Sequence, residues 1–150
     1  MTHPYTPLQQ DSPPRRGRWL RAIAYGLLAE IATILTIVVI VVAYRYVFSR
    51  GLSEVAYTAF GENVGAIVGP IGGTIFTFLL AQRLMPMIPS GFVAHGIVVA
   101  LSAIALSIAG SIAGHQGLPA GYTVASALKI LAGALAGYLY DRSLGRNRTV

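Results

Sequence analysis

Read from the amino terminus, the chain alternates between long apolar stretches and short polar breaks. Residues 1–17 are rich in Pro, Thr, Gln and Ser and end in an Arg cluster. Four apolar runs follow, at about Trp19 to Phe48, Glu62 to Met85, Phe92 to Gly114 and Tyr122 to Tyr140. The last three are near the ~20 residues with which a helix crosses ~30 Å of hydrocarbon, the fourth being the shortest, and the first is longer. The pattern predicts an all-α polytopic integral membrane protein: four transmembrane helices within 18–141, between a disordered basic tail at 1–17 and a basic tail at 142–150. The first run is too long for a signal-peptide core and is expected to stay as a signal-anchor.

The first connection carries its own pattern. Leu52, Val55, Ala56, Ala59 and Phe60 share one helical face, and Ser53, Glu54, Tyr57 and Thr58 the other. This predicts a short amphipathic helix on the outer surface between spans one and two. The plainer alternative is an outer extension of span one. Pro86, Pro89, Ser90 and Gly91 form a tight inner turn, and Gly117, Pro119 and Gly121 an outer one. Glu62 and Asn63 are expected to cap the start of span two, where a carboxylate favours the helix dipole.

Composition narrows the class. Of 150 residues, 55% are apolar and 11% charged, where a water-soluble domain carries about 25% charged residues. Lys and Arg number 11 against 5 Asp and Glu. Arg15, Arg16, Arg18 and Arg21 precede the first run, and Arg142, Arg146 and Arg148 follow the last. With Arg83 they lie on one side, whereas Arg45 and Arg50 lie on the other. The asymmetry predicts both termini inside, with anionic lipid headgroups rather than nucleic acid as partners of the basic tails. Trp19, Phe92, Tyr138 and Tyr140 then fall at the inner interface, and Tyr44, Tyr46, Phe48 and Tyr122 at the outer. Arg-rich usage points to a bacterial inner membrane. Cysteine is absent, so no disulfide or thiolate chemistry is available.

Small residues indicate packing. Gly61, Gly65, Gly69 and Gly73 recur every four residues in span two, and Pro70 among them predicts a kink. Ala105, Ala109 and Ala113 in span three, and Gly133 and Gly137 in span four, offer further close-contact faces. These faces serve either the monomer or a homo-oligomer.

Charged residues within the spans are few. Glu30 lies about 16 Å from Trp19, and Lys129 about 18 Å from Asp141 on an antiparallel span, so the two reach similar depth. A lone charge at the bilayer centre costs about 2.5–3.5 kcal/mol even on the mildest scale. An ion pair between Glu30 and Lys129 is therefore expected, within one chain or across an oligomer, with Thr33 one turn from Glu30. The pair either fixes how spans one and four dock or neutralises a proton or substrate site. His95, about 6 Å from the inner end of span three, either shuttles protons with Ser102 or bonds a nearby carbonyl or water. His115 is roughly 30 Å farther along, too far to share a metal with His95. No metal site or cofactor is expected.

Leu27-Leu28-Ala29-Glu30-Ile31 resembles the first helix of small multidrug-resistance exporters. Leu79-Leu80-Ala81-Gln82 with Ile88-Pro89-Ser90-Gly91 resembles the end of their second helix and the following turn. The resemblance implies a four-helix dimer that exchanges protons for cationic drugs at Glu30. The chain departs from that family in its longer first connection, in Arg83, in lacking a tryptophan in span three, in its strong Arg asymmetry, and in Lys129, a rival cation for Glu30.

Enzyme signatures are absent: the chain has no HExxH, GxSxG or Walker loop and no paired intramembrane aspartates. Catalysis would need Glu30, His95 and Ser102 to converge. The expectation is a non-enzymatic structural or accessory membrane component packed through glycine-rich faces. The alternative is a small proton-coupled transporter or channel subunit with Glu30 as its site.

Overall fold

A computed structural model describes residues 15–114, 117 and 121–146. These form α1 (Arg15–Ala43), a π-helical turn (Tyr44–Phe48), α2 (Glu54–Leu84), a 3-10 turn (Met85–Met87), α3 (Phe92–Ala113) and α4 (Tyr122–Arg146). All four helices are long and apolar enough to cross a membrane. The expectations for residues 1–14, His115, Pro119 and the last four residues lie outside the described part. Within it, residues 15–17 already belong to α1, so the helix starts earlier than the composition of the tail implied.

The bundle is a four-cornered array. α1 packs against α2 and α3, and α4 packs against the same two, leaving α1 and α4 on opposite corners. Most large side chains, such as Leu35, Val39, Ile67 and Leu131, lie on the outside. Small residues line much of the inside, where Ala22, Ala29, Ala81, Ala100, Ala103 and Ala136 are buried beside a cluster of Leu84, Met85, Ile88, Phe92 and Val99. This inversion is expected where lipid removes the hydrophobic drive between helices and close packing must replace it.

The helices differ in length. From Glu54 to Met87 the second hairpin arm has 34 residues, whereas α3 has 22, a difference of roughly 18 Å at helical rise. Levels match at the end carrying the α2–α3 turn, where Trp19 stacks on His95 with centroids 4.2 Å apart. The excess length of α1 and α2 therefore stands out at the other end, the loop end. There Tyr46, Val47, Phe48 and Val55 are exposed, and Tyr44 stacks on Phe60 at 3.7 Å.

No separate interfacial helix joins spans one and two. Residues 54–60 are the first two turns of α2 itself, so the second span begins well before Glu62. Ser53 caps it, its hydroxyl accepting from the Ala56 amide, and Glu54 occupies the first turn. Nothing between Phe60 and Glu62 breaks the helix: Gly61 costs only about 1 kcal/mol of propensity and leaves every backbone bond intact. Glu62 and Asn63 are accordingly mid-helix rather than caps. The short link is held by Tyr57, whose hydroxyl donates to the Ser49 carbonyl at 2.6 Å and accepts from the Leu52 amide at 3.2 Å. Arg45 spans the hairpin, bonding Glu54 at 2.5 Å and lying over the Tyr57 ring at 4.9 Å.

α2 passes through Pro70 as one continuous helix. The Thr74 hydroxyl donates to the Pro70 carbonyl at 2.6 Å, one of several hydroxyls that bond back into their own helix. Gly91, at φ +72°, precedes α3 in a left-handed conformation that suits glycine.

Candidate functional site

The site is built on the two opposite corners of the bundle. Glu30 on α1 and Lys129 on α4 are each 5% exposed. The Lys129 ammonium donates to Glu30 Oε2 at 2.5 Å within a single chain. The pair joins helices that otherwise barely meet, because a lysine stem is long enough to cross the diagonal.

Gly73 makes room for that crossing. A Cβ built on Gly73 would fall 2.5 Å from Lys129 Cε and 3.2 Å from Nζ. The last glycine of the four-residue repeat thus seats a side chain rather than a neighbouring backbone. The others do not continue the face. Gly65 and Gly69 have nothing within 4 Å of a built Cβ, and Gly61 meets only a Val41 methyl at 3.8 Å. Four residues advance a helix by about 400°, so a strict repeat rotates about 40° per step. Over three steps the stripe turns away from the interior into which Gly73 faces.

Close helix approach is made elsewhere, at positions the repeat did not mark. A Cβ on Gly96 would strike the Gly133 carbonyl, and a Cβ on Gly133 the Gly96 carbonyl. Gly137 backs onto Phe92, with its built Cβ 2.5 Å from the Phe92 carbonyl oxygen. These contacts join α3 to α4, as expected for Gly133 and Gly137. Gly26 fits equally closely against Val99 and Ser102 and joins α1 to α3. On α3 the packing face runs through Gly96, Val99, Ala100 and Ala103. Ala105, Ala109 and Ala113 are exposed instead. Gly26 and Gly96 are isolated glycines, and only helix rotation, invisible in spacing alone, marks them out.

The other polar residues named from the sequence take distinct places. Thr33 is 1% exposed and its hydroxyl donates to the Ala29 carbonyl at 2.9 Å, not to Glu30. Ser102 donates to Val98 at 2.8 Å. Such bonds to the carbonyl four residues back satisfy a hydroxyl within its own helix. His95 is 5% exposed beneath Trp19. Its Nδ1 lies 2.8 Å from the Gly91 carbonyl. A carbonyl only accepts, so Nδ1 carries the proton there and bonds a neighbouring carbonyl, one of the two roles expected for it. Glu30, His95 and Ser102 are not joined to one another by any hydrogen bond. Among the described residues, no three His, Asp or Glu side chains gather as a metal site.

Two surface clefts lie at the turn end. One is lined by Ser90, Gly91, Phe92, Asp141 and Leu144 among others, and the second by Leu79, Gln82, Arg83, Pro86 and Met87. Neither is lined by Glu30 or Lys129. The pair is a buried tie between opposite helices. Comparison with protein-family models, with curated proteins and with solved structures returned no match to this chain.

Proposed function

We propose that this chain is a non-enzymatic structural or accessory component of a cell membrane, held in one helix arrangement by the Glu30–Lys129 tie. The observation carrying this reading is the pair itself, both partners 5% exposed and 2.5 Å apart. A buried pair contributes little net stability, because desolvating two charges offsets most of their attraction. Its value lies in specificity. Any packing in which α1 or α4 rotates leaves two unpaired charges in a low-dielectric interior, so the competing arrangements are penalised. The proposed orientation has both termini in the cytoplasm, with Arg18, Arg21, Arg83 and Arg142 facing anionic headgroups.

The test is a double-mutant cycle on Glu30→Gln, Lys129→Met and their combination, with unfolding followed in mixed micelles. Each single change is expected to cost about 3–5 kcal/mol, because it leaves an unpaired buried charge, and the double to cost no more than either single alone. Strictly additive costs overturn the reading.

A second reading is a proton-coupled transporter or channel subunit using Glu30, in line with the resemblance to small multidrug-resistance exporters. One observation favours it: Thr77 Oγ1 and Ser126 Oγ are buried without a partner, and each lies about one helical turn from a residue of the site, Gly73 and Lys129 respectively.

A further inference from the structure

Hydroxyls in this bundle are as a rule satisfied by their own helix. Thr33, Thr36, Thr58, Thr74 and Ser102 each donate to the carbonyl four residues back, at 2.6–3.0 Å. Thr77 departs from the rule. It is fully buried, at 0% exposure, and its hydroxyl has no partner among the described residues. His95 departs in the same way. Its Nδ1 is bonded to the Gly91 carbonyl, and its Nε2 is buried with no partner among the described residues. A buried polar atom left unpaired is less favourable than an apolar residue of the same shape, so a hydrated partner is expected.

These two atoms are placed in sequence along the bundle axis. His95 is three residues into α3 from the turn end. Thr77 is seven residues into α2 from the same end, on the face that carries Gly73 one turn farther on. Axial steps from His95 to Thr77, and from Thr77 to the level of the ion pair, are each about 6 Å. α2 and α3 stand on opposite corners, so a lateral gap adds to this rise, and crossing it takes a short chain of bridging waters. At the near end, the cleft lined by Gly91, Phe92 and Asp141 opens beside the carbonyl that holds His95. Past Lys129, Ser126 is unpaired, but the next turn is tied off where the Tyr122 hydroxyl donates to the Ile104 carbonyl at 3.1 Å.

We propose that His95 Nε2, Thr77 Oγ1 and the Glu30–Lys129 pair line a one-sided hydrated track, through which water and protons reach the pair from the turn end. The ligand is water, bound as a short hydrogen-bonded chain and exchanging its protons with Lys129. The charged and titratable groups along the route are few. α1 contributes Glu30, α4 contributes Lys129 at depth and Asp141 at the mouth, and α3 contributes His95. The buried face of α2 contributes only the hydroxyls of Thr77 and of Tyr57, the latter far off at the loop end. The track goes beyond the scaffold reading, which requires no access to the pair.

The experiment is water-edited solid-state NMR on the full chain in lipid bilayers, reading proton exchange at the Lys129 ammonium. Three forms are compared: native, Thr77→Val and Thr77→Ser. Transfer from water to Lys129 is expected in the native chain. It is expected to slow by about tenfold in Thr77→Val, roughly the weight of one hydrogen bond, and to recover in Thr77→Ser. Removing an unhydrated orphan would instead leave exchange unchanged and raise stability, so that result overturns the track. Absence of any water transfer to Lys129 in the native chain overturns it as well. Neither result bears on the coupling energy between Glu30 and Lys129, so the scaffold reading and the track fail separately.

Discussion

The seat of Lys129 on Gly73 can be tested with a single methyl group. In Gly73→Ala the new Cβ would lie 2.5 Å from Lys129 Cε. Carbon atoms settle at about 3.5–4.0 Å, so the lysine stem or α2 must yield by about 1 Å. The stem is flexible, but its far end is held by Glu30 at 2.5 Å, and moving it stretches the one contact that neutralises both charges. Overpacking of this kind costs about 1–3 kcal/mol, against a helix-propensity gain of about 1 kcal/mol from removing glycine. Gly65→Ala and Gly69→Ala add the same methyl where nothing lies within 4 Å. They keep the propensity gain without the clash, and are expected to be neutral or up to about 1 kcal/mol more stable. The three variants separate in reversible unfolding titrations in mixed micelles, Gly73→Ala lowest. A second comparison isolates the cause: in a Lys129→Ala background, which lacks Cε, Gly73→Ala is expected to cost nothing further. If Gly73→Ala unfolds together with Gly65→Ala, or if its cost persists without the lysine stem, the seat has been misassigned.

Further expectations follow from the same geometry. Gly96→Ala or Gly133→Ala presses a Cβ against a facing backbone carbonyl that no rotamer change can move. Each is expected to destabilise by 2 kcal/mol or more, at about the upper half of the overpacking range, and disulfide trapping between cysteines placed on α3 and α4 would report the separation. Tyr57→Phe removes two hydrogen bonds that hold the first connection. A loss of about 1–2 kcal/mol is expected, seen as faster amide exchange at Leu52. Glu54→Gln breaks a bridge whose side chains are 43% and 75% exposed. Its expected cost is below about 1 kcal/mol and vanishes in high salt, which thermal unfolding at two ionic strengths would show.

Depth was legible in the sequence, and rotation was not. Glu30 and Lys129 could be placed at one level because axial position needs only a residue count and a rise per residue. Their pairing followed because so few charges exist that each demands a partner. The glycine repeat did not mark the packing within one chain, for a related reason. A four-residue spacing looks like a face, but its steady rotation carries Gly65 and Gly69 away from the direction in which Gly73 points. The contacts that bring backbones together fall on Gly26 and Gly96, which belong to no visible repeat. The first connection failed differently. Amphipathic periodicity at 52–60 signals helix, but it does not say whether that helix ends before Gly61, and backbone hydrogen bonding carries it into α2.

The position of the pair explains why a membrane bundle would retain it. The closest approaches between adjacent helices are made at glycines: Gly26 on Val99 joins α1 to α3, and Gly96 on Gly133 and Gly137 on Phe92 join α3 to α4. Such contacts set the spacing of neighbours, but small side chains define rotation only loosely, since an alanine and a glycine face present similar surfaces. They also leave the diagonal unconstrained, because α1 and α4 scarcely touch. A long polar side chain crossing that diagonal supplies the missing restraint, and it does so with a penalty for error that dispersion contacts lack. Replacing both partners with apolar residues of similar volume should therefore leave stability nearly unchanged while broadening the rotational states of α1 and α4. Duplicated resonances for Thr33 and Ser126 in the doubly apolar variant would reveal that broadening, and a single sharp set would show that glycine packing alone suffices.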